Sequence, residues 1–177
     1  MTITDSCTRA ELLASMDEQR RRIESVASVV DEIADLPTGV GTWTVRDTLC
    51  HLAVYYPEHE VDEQMAKLRR LAAAGSTNRR PDFDIDAANA ERLRAYEGVP
   101  VSKILDIVTR ARRRIRAEVE ALDDAFLALP VAGTAWGDVV PVGRVVAEST
   151  CTHDEGHLDE IVRAVRAHDA ALGAILS

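Results

Sequence analysis

Hydrophobic positions in this chain recur every three or four residues over four long stretches, which predicts four amphipathic helices. The first stretch opens on a capping box formed by Thr8 and Glu11 and ends near Leu36. The second stretch begins at Thr44, which again has an acidic residue three positions later, and extends to about Gly75. Each of these stretches is long enough to form one member of a helical bundle.

The second half of the chain repeats the pattern. A third stretch runs from Ser102 to Phe126 with one unbroken apolar stripe, and a fourth begins near Pro141 and extends almost to the last residue. A shorter helix, capped by Asp84 or Asp86, is predicted between the second and third stretches. Because no useful length of sequence alternates with the period of a strand, we predict an all-α fold. The expected architecture is an antiparallel four-helix bundle with a short extra helix between helices two and three.

Proline and loop residues interrupt this pattern at three places. Pro57 lacks the N–H that would bond to the carbonyl of Ala53, so the second helix is expected to kink there while continuing beyond it. Residues 76–82 and the connector after Pro130 have the composition of loops.

Composition restricts the possible functions. The 177 residues, 46% of them hydrophobic, predict a single domain over 1–177 that can bury a core without metal or disulfide staples. A formal charge of -9 argues against nucleic acid or a membrane surface as a partner, and charges interrupt every apolar run before membrane-spanning length. Three cysteines cannot all pair, and the first residues do not have the pattern of a signal peptide, so we expect a cytoplasmic protein.

The candidate chemistry centres on histidines. His153 and His157 are four residues apart in the predicted fourth helix, a spacing that places both imidazoles on one face. His51 lies on the apolar face of the predicted second helix, where it can reach the same layer of a bundle. Three imidazoles suit zinc, nickel, iron or copper better than magnesium or calcium, and three protein ligands leave a position open for chemistry.

The alternative interpretation treats the histidines of the fourth helix as core residues. His153 and His157 continue the predicted buried stripe of Val146, Thr150 and Ile161, and buried imidazoles need hydrogen-bond partners. The backbone or neighbouring acids would provide them. The nearest such acids are Asp154 and Glu160.

Other polar residues occupy positions from which they could assist a metal site. Asp47, four residues before His51, and Glu160, three residues after His157, are candidate acceptors that would orient a ligating ring. Tyr55 follows His51 by one helical turn and is the candidate residue to meet a substrate, with a core aromatic as the alternative interpretation.

Several further motifs are interpreted as structural. Cys50 and Cys151 are each one or two residues away from a histidine and therefore point in other directions, so both are expected to be small buried hydrophobes. The arginines at 110–116 lie mostly off the apolar stripe and are expected to face solvent. A zinc metalloprotease is excluded because Asp154 and Glu155 do not match the H-E-x-x-H pattern.

Three segments, 43–52, 86–89 and 153–157, resemble in order and spacing the motifs of the DinB-like superfamily of four-helix bundles. The similarity is greatest to the branch containing the N-terminal domain of mycothiol-dependent maleylpyruvate isomerase. The resemblance implies a divalent metal, zinc or nickel with iron as a further option, held by His51, His153 and His157. It also implies a mycothiol-type thiol as co-substrate.

The resulting hypothesis is a metal-dependent thiol S-transferase or isomerase acting on small electrophilic substrates in detoxification. Maleylpyruvate isomerisation itself is not expected, because the sequence ends soon after the fourth helix, without the further domain of the full-length isomerases. The alternatives are a non-catalytic small-molecule-binding or stress-response bundle and a metal-free hydrolase of a reactive natural product. A homodimer is an open option, since bundles of this kind often dimerise.

Overall fold

The computed structural model describes residues 7–74, 85–131 and 139–176. The helices in these ranges are α1 Arg9–Ala27, α2 Val30–Ile33, α3 Val45–Val54, α4 Val61–Ala74, α5 Ile85–Arg94, α6 Val101–Glu120, α7 Asp124–Leu127, α8 Val142–Val146, α9 His153–His168 and α10 Ala170–Ile175. A 3-10 turn, Glu58–Glu60, precedes α4, and a π turn, Ala147–Thr152, joins α8 to α9. The short strands β1 Pro130–Val131 and β2 Val140–Pro141 pair antiparallel.

Four helical segments build a bundle. They are α1, α3 followed by α4, α6, and the continuous run of α8, the π turn and α9. Both α1 and α3 pack against α6 and α9, while α5 packs against α3. The predicted four-helix bundle with a short extra helix between the second and third members is confirmed. None of the helices in the described ranges is both long and apolar enough to cross a membrane.

The buried apolar side chains form two clusters, one toward each end of the bundle. The first cluster joins the end of α1 to α3, the start of α6 and the second half of α9, and its fully buried members are Ile33, Val45, Leu49, Leu52, Ala53, Ile104, Val108, Leu158, Ile161 and Val165. The second joins the start of α1 to α4, the end of α6 and the π turn, and includes Leu12, Met16, Val61, Met65, Ile115, Val119, Leu127, Val146 and Cys151. A layer of polar residues lies between them.

Both predicted capping boxes are present. The Thr8 side chain accepts from the backbone of Glu11, whose carboxylate accepts from the Thr8 N–H at 2.8 Å. Thr44 and Asp47 repeat this reciprocal arrangement at the start of α3, with 2.9 Å between the Thr44 nitrogen and the carboxylate. The second cap fixes the first residue of α3, the helix that carries His51.

The first two predicted helices are each divided. Helix one ends at Ala27 because the Ser28 hydroxyl donates to the carbonyl of Ser25 at 2.7 Å and competes with the helical pattern. The predicted kink at Pro57 is wrong, since α3 ends at Val54 and Pro57 instead caps the 3-10 turn in an extended conformation. Proline disfavours the helical conformation of the residue before it, which explains a break in place of a bend.

The last two predicted helices also end earlier than expected. Helix three ends at Glu120, because the Asp123 side chain caps a separate short helix, α7, by accepting from the Phe126 N–H at 2.6 Å. Helix four ends at His168, because Asp169 adopts an extended conformation and caps α10. The predicted loop at 76–82, the connector at 132–138 and the cap of α5 lie outside the described residues and side chains.

The π turn changes which residues of the fourth helix are buried. A π turn has a wider period than an α-helix, so the buried face after it moves from the predicted His153 and His157 to Asp154 and Leu158. The two histidines lie at the edge of that face, with 18% of each side chain exposed. Gln19 supports the turn from α1 and donates to the Thr150 and Cys151 carbonyls at 3.3 and 2.5 Å.

Replacing Gln19 by leucine is expected to lower the free energy of unfolding by about 1–3 kcal/mol, because the two buried carbonyls lose their donor. Chemical denaturation of the purified variant measures this change. The control is Glu18→Gln on the exposed side of the same helix, expected to stay within about 0.5 kcal/mol of the parent. Equal stability of both variants would show that the amide does not support the π turn.

Candidate metal centre

Three imidazoles from two bundle helices meet in the polar layer between the apolar clusters. His51 comes from α3 and is only 6% exposed, while His153 and His157 come from the first two turns of α9. One ring nitrogen from each residue lies within 4.8 Å of the other two. In the described part of the chain, this is the one group of histidine, cysteine or acidic side chains with the spacing of a metal site.

His51 and His153 face each other through their Nε2 atoms. His51 Nε2 and His153 Nε2 are 3.0 Å apart. The Nδ1 atoms of His153 and His157 point instead to carboxylates, at 3.2 Å from Asp154 and 2.8 Å from Glu160. Each carboxylate favours the tautomer with hydrogen on Nδ1, which leaves the Nε2 lone pair available to bind a cation.

The predicted orienting residues have different outcomes. Glu160 contacts His157 as expected. The expectation for Asp47 is wrong, because its carboxylate is engaged by the Thr44 N–H and hydroxyl in the helix cap. Nδ1 of His51 is buried and has no hydrogen-bond partner among the described residues.

Burial keeps the imidazoles of His51 and His153 neutral. Burial, reinforced by the nearby His157 and His153, lowers the pKa of His51 to about 3. Burial also lowers the pKa of His153, against the opposing effect of Asp154. Neutral imidazole is the form that ligates metals, so His51 and His153 are in the required state at neutral pH.

Asp154 is fully buried and ionised. Burial alone would raise the pKa of this carboxyl, but the charge of Arg112 and hydrogen bonds from His153 and Arg112 bring it below its usual value. Arg112 donates through Nε and Nη2 to the two carboxylate oxygens, and Nη2 also donates to the carbonyl of Leu52 at 3.0 Å. The expectation that the arginines of α6 face solvent is therefore wrong for Arg112, whose side chain is 11% exposed.

Aromatic rings enclose the imidazoles on two sides. Tyr55 directly follows the last residue of α3 and stacks on His153, with ring centroids 3.6 Å apart and planes inclined by 9°. Trp43, just before α3, lies 5.1 Å from His51 and 6.2 Å from His157 between ring centroids. Burial raises the pKa of Tyr55 to about 12, so its hydroxyl keeps its proton at neutral pH.

The cysteines behave as expected and stay outside the centre. Cys50 and Cys151 are buried in the two apolar clusters. Burial raises the pKa of both thiols, that of Cys50 to about 11. Neither belongs to the metal-spaced group, and a protonated buried thiol is a poor ligand or nucleophile.

Sequence reasoning missed Trp43 and Arg112 as site residues. Arg112 follows Val108 by four residues and precedes Ile115 by three, so it adjoins the apolar stripe of α6, and this spacing was the available signal. Trp43 lies immediately before a helix cap, in a position that carries no helical periodicity. Its contact with the histidines depends on how α3 and α9 pack.

In fold the chain is similar to YfiT from Bacillus subtilis, described as a probable metal-dependent hydrolase with an unusual four-helix bundle topology. The two proteins share 17% sequence identity with a TM-score of 0.69, over 95% of this chain and 93% of the other. The likeness supports the four-helix bundle fold, while the DinB-like superfamily and its thiol-dependent isomerase branch stay predictions. The sequence matches no model of a known protein family and no curated protein sequence.

Stability of the metal-free protein is expected to depend on pH through His51. Its folded pKa of about 3 lies below the ordinary 6.5, so the unfolded chain binds this proton first as the pH falls. The stabilisation is complete above pH 6.5 and is lost progressively toward pH 3. In urea denaturation across this interval, His51→Leu should lose less stability than the parent, whereas His59→Leu, at an exposed position, should follow the parent. Parallel curves for His51→Leu and the parent would contradict this assignment.

Proposed function

We propose that this protein is a metal-dependent enzyme that activates a low-molecular-weight thiol, of the mycothiol type, for attack on a small electrophile. The observation that carries the proposal is the convergence of three imidazoles, from His51, His153 and His157, at the edge of the bundle core. A three-histidine set leaves part of a metal's coordination sphere for other ligands, as catalytic sites require.

The residues present fit a divalent transition metal. A tetrahedral ion with bonds of about 2.0–2.1 Å separates its nitrogen ligands by about 3.3 Å. The observed separation of 3.0 Å between His51 Nε2 and His153 Nε2, and the 4.8 Å limit for the whole group, span that value. An all-imidazole donor set favours zinc or nickel, with iron as a further option, over magnesium or calcium.

A bound divalent metal would lower the pKa of a coordinated thiol or water and so supply a nucleophile at neutral pH. The imidazoles of His51, His153 and His157 carry no charge of their own and would leave the full positive charge acting on that nucleophile. The carboxylates of Asp154 and Glu160 lie behind the imidazoles, where they orient the rings of His153 and His157 through hydrogen bonds to Nδ1.

The aromatic and basic residues around the centre indicate the shape and charge of the electrophile that the site would bind. Trp43 and Tyr55 provide flat apolar walls that exclude water and order a small unsaturated molecule. The Tyr55 hydroxyl carries a proton at neutral pH. It therefore donates a hydrogen bond to any substrate oxygen that has no proton of its own. We therefore assign Tyr55 to substrate binding at the reacting centre.

Arg92 of α5 adds a preference for an acidic substrate. Burial is the main cause of the lowered pKa of His51 and the raised pKa of Tyr55; the positive charge of the exposed Arg92 adds to the first effect and opposes the second. Within the described ranges its guanidinium has no ion-pair partner. A carboxylate or phosphate on the electrophile is the group that such a cation would bind.

Hydrolysis is the second candidate, and it is supported by the description of YfiT as a probable metal-dependent hydrolase. The same three imidazoles would then support activation of water in place of a thiol. The two candidates differ in their co-substrate. A transferase consumes one thiol for each electrophile converted, whereas a hydrolase releases its products without any thiol.

Elemental analysis of untagged protein, reconstituted with zinc or nickel, is expected to find about one ion per chain. His153→Ala should lose the ion together with thiol transfer to model electrophiles, because only two of three ligands remain. His59→Ala, at a side chain that is 80% exposed, is the control and should retain both. A parent protein without metal after reconstitution, or a fully loaded His153→Ala, would contradict the proposal. Turnover without thiol would select the hydrolase.

Arg92→Ala is expected to raise the KM for electrophiles that carry a carboxylate by about tenfold, since one charge-assisted hydrogen bond is lost. The KM for a neutral analogue of the same shape should not change. Arg94→Ala provides a matched control on the same exposed helix, two residues away and therefore on its other side. Equal effects on charged and neutral electrophiles would exclude Arg92 as the anion-binding residue.

A further inference from the structure

Arg112 contacts both helices that carry the imidazoles. From α6, its Nε and Nη2 atoms bind the Asp154 carboxylate on α9, and Nη2 also donates to the Leu52 carbonyl on α3 at 3.0 Å. Leu52 directly follows His51, and Asp154 directly follows His153. One guanidinium therefore joins the backbone beside the first imidazole to the residue beside the second.

The Asp154 carboxylate connects this guanidinium to the ring of His153. Its Oδ1 atom is 3.0 Å from Arg112 Nη2 and 3.2 Å from His153 Nδ1. Because the guanidinium fork holds both carboxylate oxygens, the carboxylate plane cannot turn without breaking a hydrogen bond. That fixed plane determines where His153 Nδ1–H points and hence where Nε2 lies.

The contact with α3 depends on the early end of that helix. In a continuous helix the Leu52 carbonyl would accept from the N–H of residue 56, but α3 ends at Val54 ahead of Pro57. Leu52 therefore contributes one of the carbonyls left without a helical donor. Arg112 supplies that donor and ties the end of α3 to α6 and α9.

We propose that Arg112 is a positioning residue of the metal centre, which sets the separation of His51 and His153 and selects the ring nitrogen that His153 presents. This inference rests on the proposed metal-dependent function. Arg112 acts through Asp154 and Leu52 and does not itself touch a metal or a substrate. An ion pair with a purely structural role would stabilise the bundle without altering how the imidazoles bind metal.

Arg116, one turn along α6, offers a matched comparison. It makes the same two-pronged contact with a carboxylate, from Nε and Nη2 to the oxygens of Asp17 at 2.9 and 3.2 Å. That pair joins α6 to α1, and within the described residues Arg116 makes no hydrogen bond to the three imidazoles. Arg116→Met therefore removes an ion pair of the same geometry, with side chains 31% and 40% exposed, from the same helix at a distance from the centre.

The experiment measures Co²⁺ affinity by competition with a chromophoric chelator, and the ligand geometry from the absorption spectrum of the cobalt protein. Arg112→Met is expected to weaken Co²⁺ binding by about 10- to 100-fold and to change the spectrum, as loss of an outer-sphere partner does. Arg112→Lys keeps the charge but loses the fork, so an intermediate loss is expected. Arg116→Met should bind Co²⁺ as the parent does.

A second measurement reads the His153 tautomer in metal-free protein from its imidazole ¹⁵N chemical shifts. The parent and Arg116→Met should show hydrogen on Nδ1, whereas Arg112→Lys and Arg112→Met should show a mixture of tautomers. Unchanged cobalt affinity, spectrum and tautomer in both Arg112 variants would overturn the inference, as would an equal loss in Arg116→Met. If Arg112→Met does not fold, Arg112→Lys decides.

Failure of the proposed function gives a different result. A parent protein that binds neither Co²⁺ nor zinc would refute the metal-dependent enzyme. The ¹⁵N measurement would then still decide whether Arg112 controls the tautomer of His153, since it needs no metal.

Discussion

A buried ion pair between Arg112 and Asp154 is the interaction on which the arrangement of this bundle's centre depends. Both groups are removed from water, at 11% and 0% side-chain exposure, and burying an isolated charge of this kind costs several kcal/mol. The cost is offset by the complete fork and by the further hydrogen bond from Nη2 to the Leu52 carbonyl, while Nη1 of Arg112 has no hydrogen-bond partner among the described residues. The pair therefore restricts how α3, α6 and α9 can pack. Apolar contacts alone would permit these helices to pack in several registers.

The two apolar clusters supply the stability that offsets the cost of burying this polar layer. At each end of the bundle, leucine, isoleucine and valine side chains pack together. The layer between the two ends contains His51, Asp154 and Arg112. Two irregularities adapt the helices to that layer. The break before Pro57 ends α3 at Val54, just before Tyr55, and frees a carbonyl for Arg112. The π turn places His153 at the edge of the buried face. Departures from regular helix thus coincide with the candidate centre.

The sequence predicted the features that depend on local periodicity and spacing. The helices, both capping boxes, the extra helix and the shared face of His153 and His157 follow from patterns within one segment, and His51 joins them because it lies on the apolar face of another predicted bundle helix. The breaks near residues 28, 57 and 121 were missed because side-chain competition and caps override a continuing apolar stripe. Arg112 was misassigned to the surface because its burial depends on a partner 42 residues away in sequence. Contacts between distant segments leave no periodic signal in either one.

Extended X-ray absorption fine structure of the zinc-reconstituted protein tests the central claim most directly, because it counts the ligands and identifies their type. The account predicts three imidazole nitrogens at about 2.0–2.1 Å and at least one further light-atom ligand from solvent. Addition of a low-molecular-weight thiol should then introduce one sulfur at about 2.3 Å. A zinc environment with fewer than three imidazoles, or with protein sulfur before thiol is added, would contradict the assignment of His51, His153 and His157 as the metal centre.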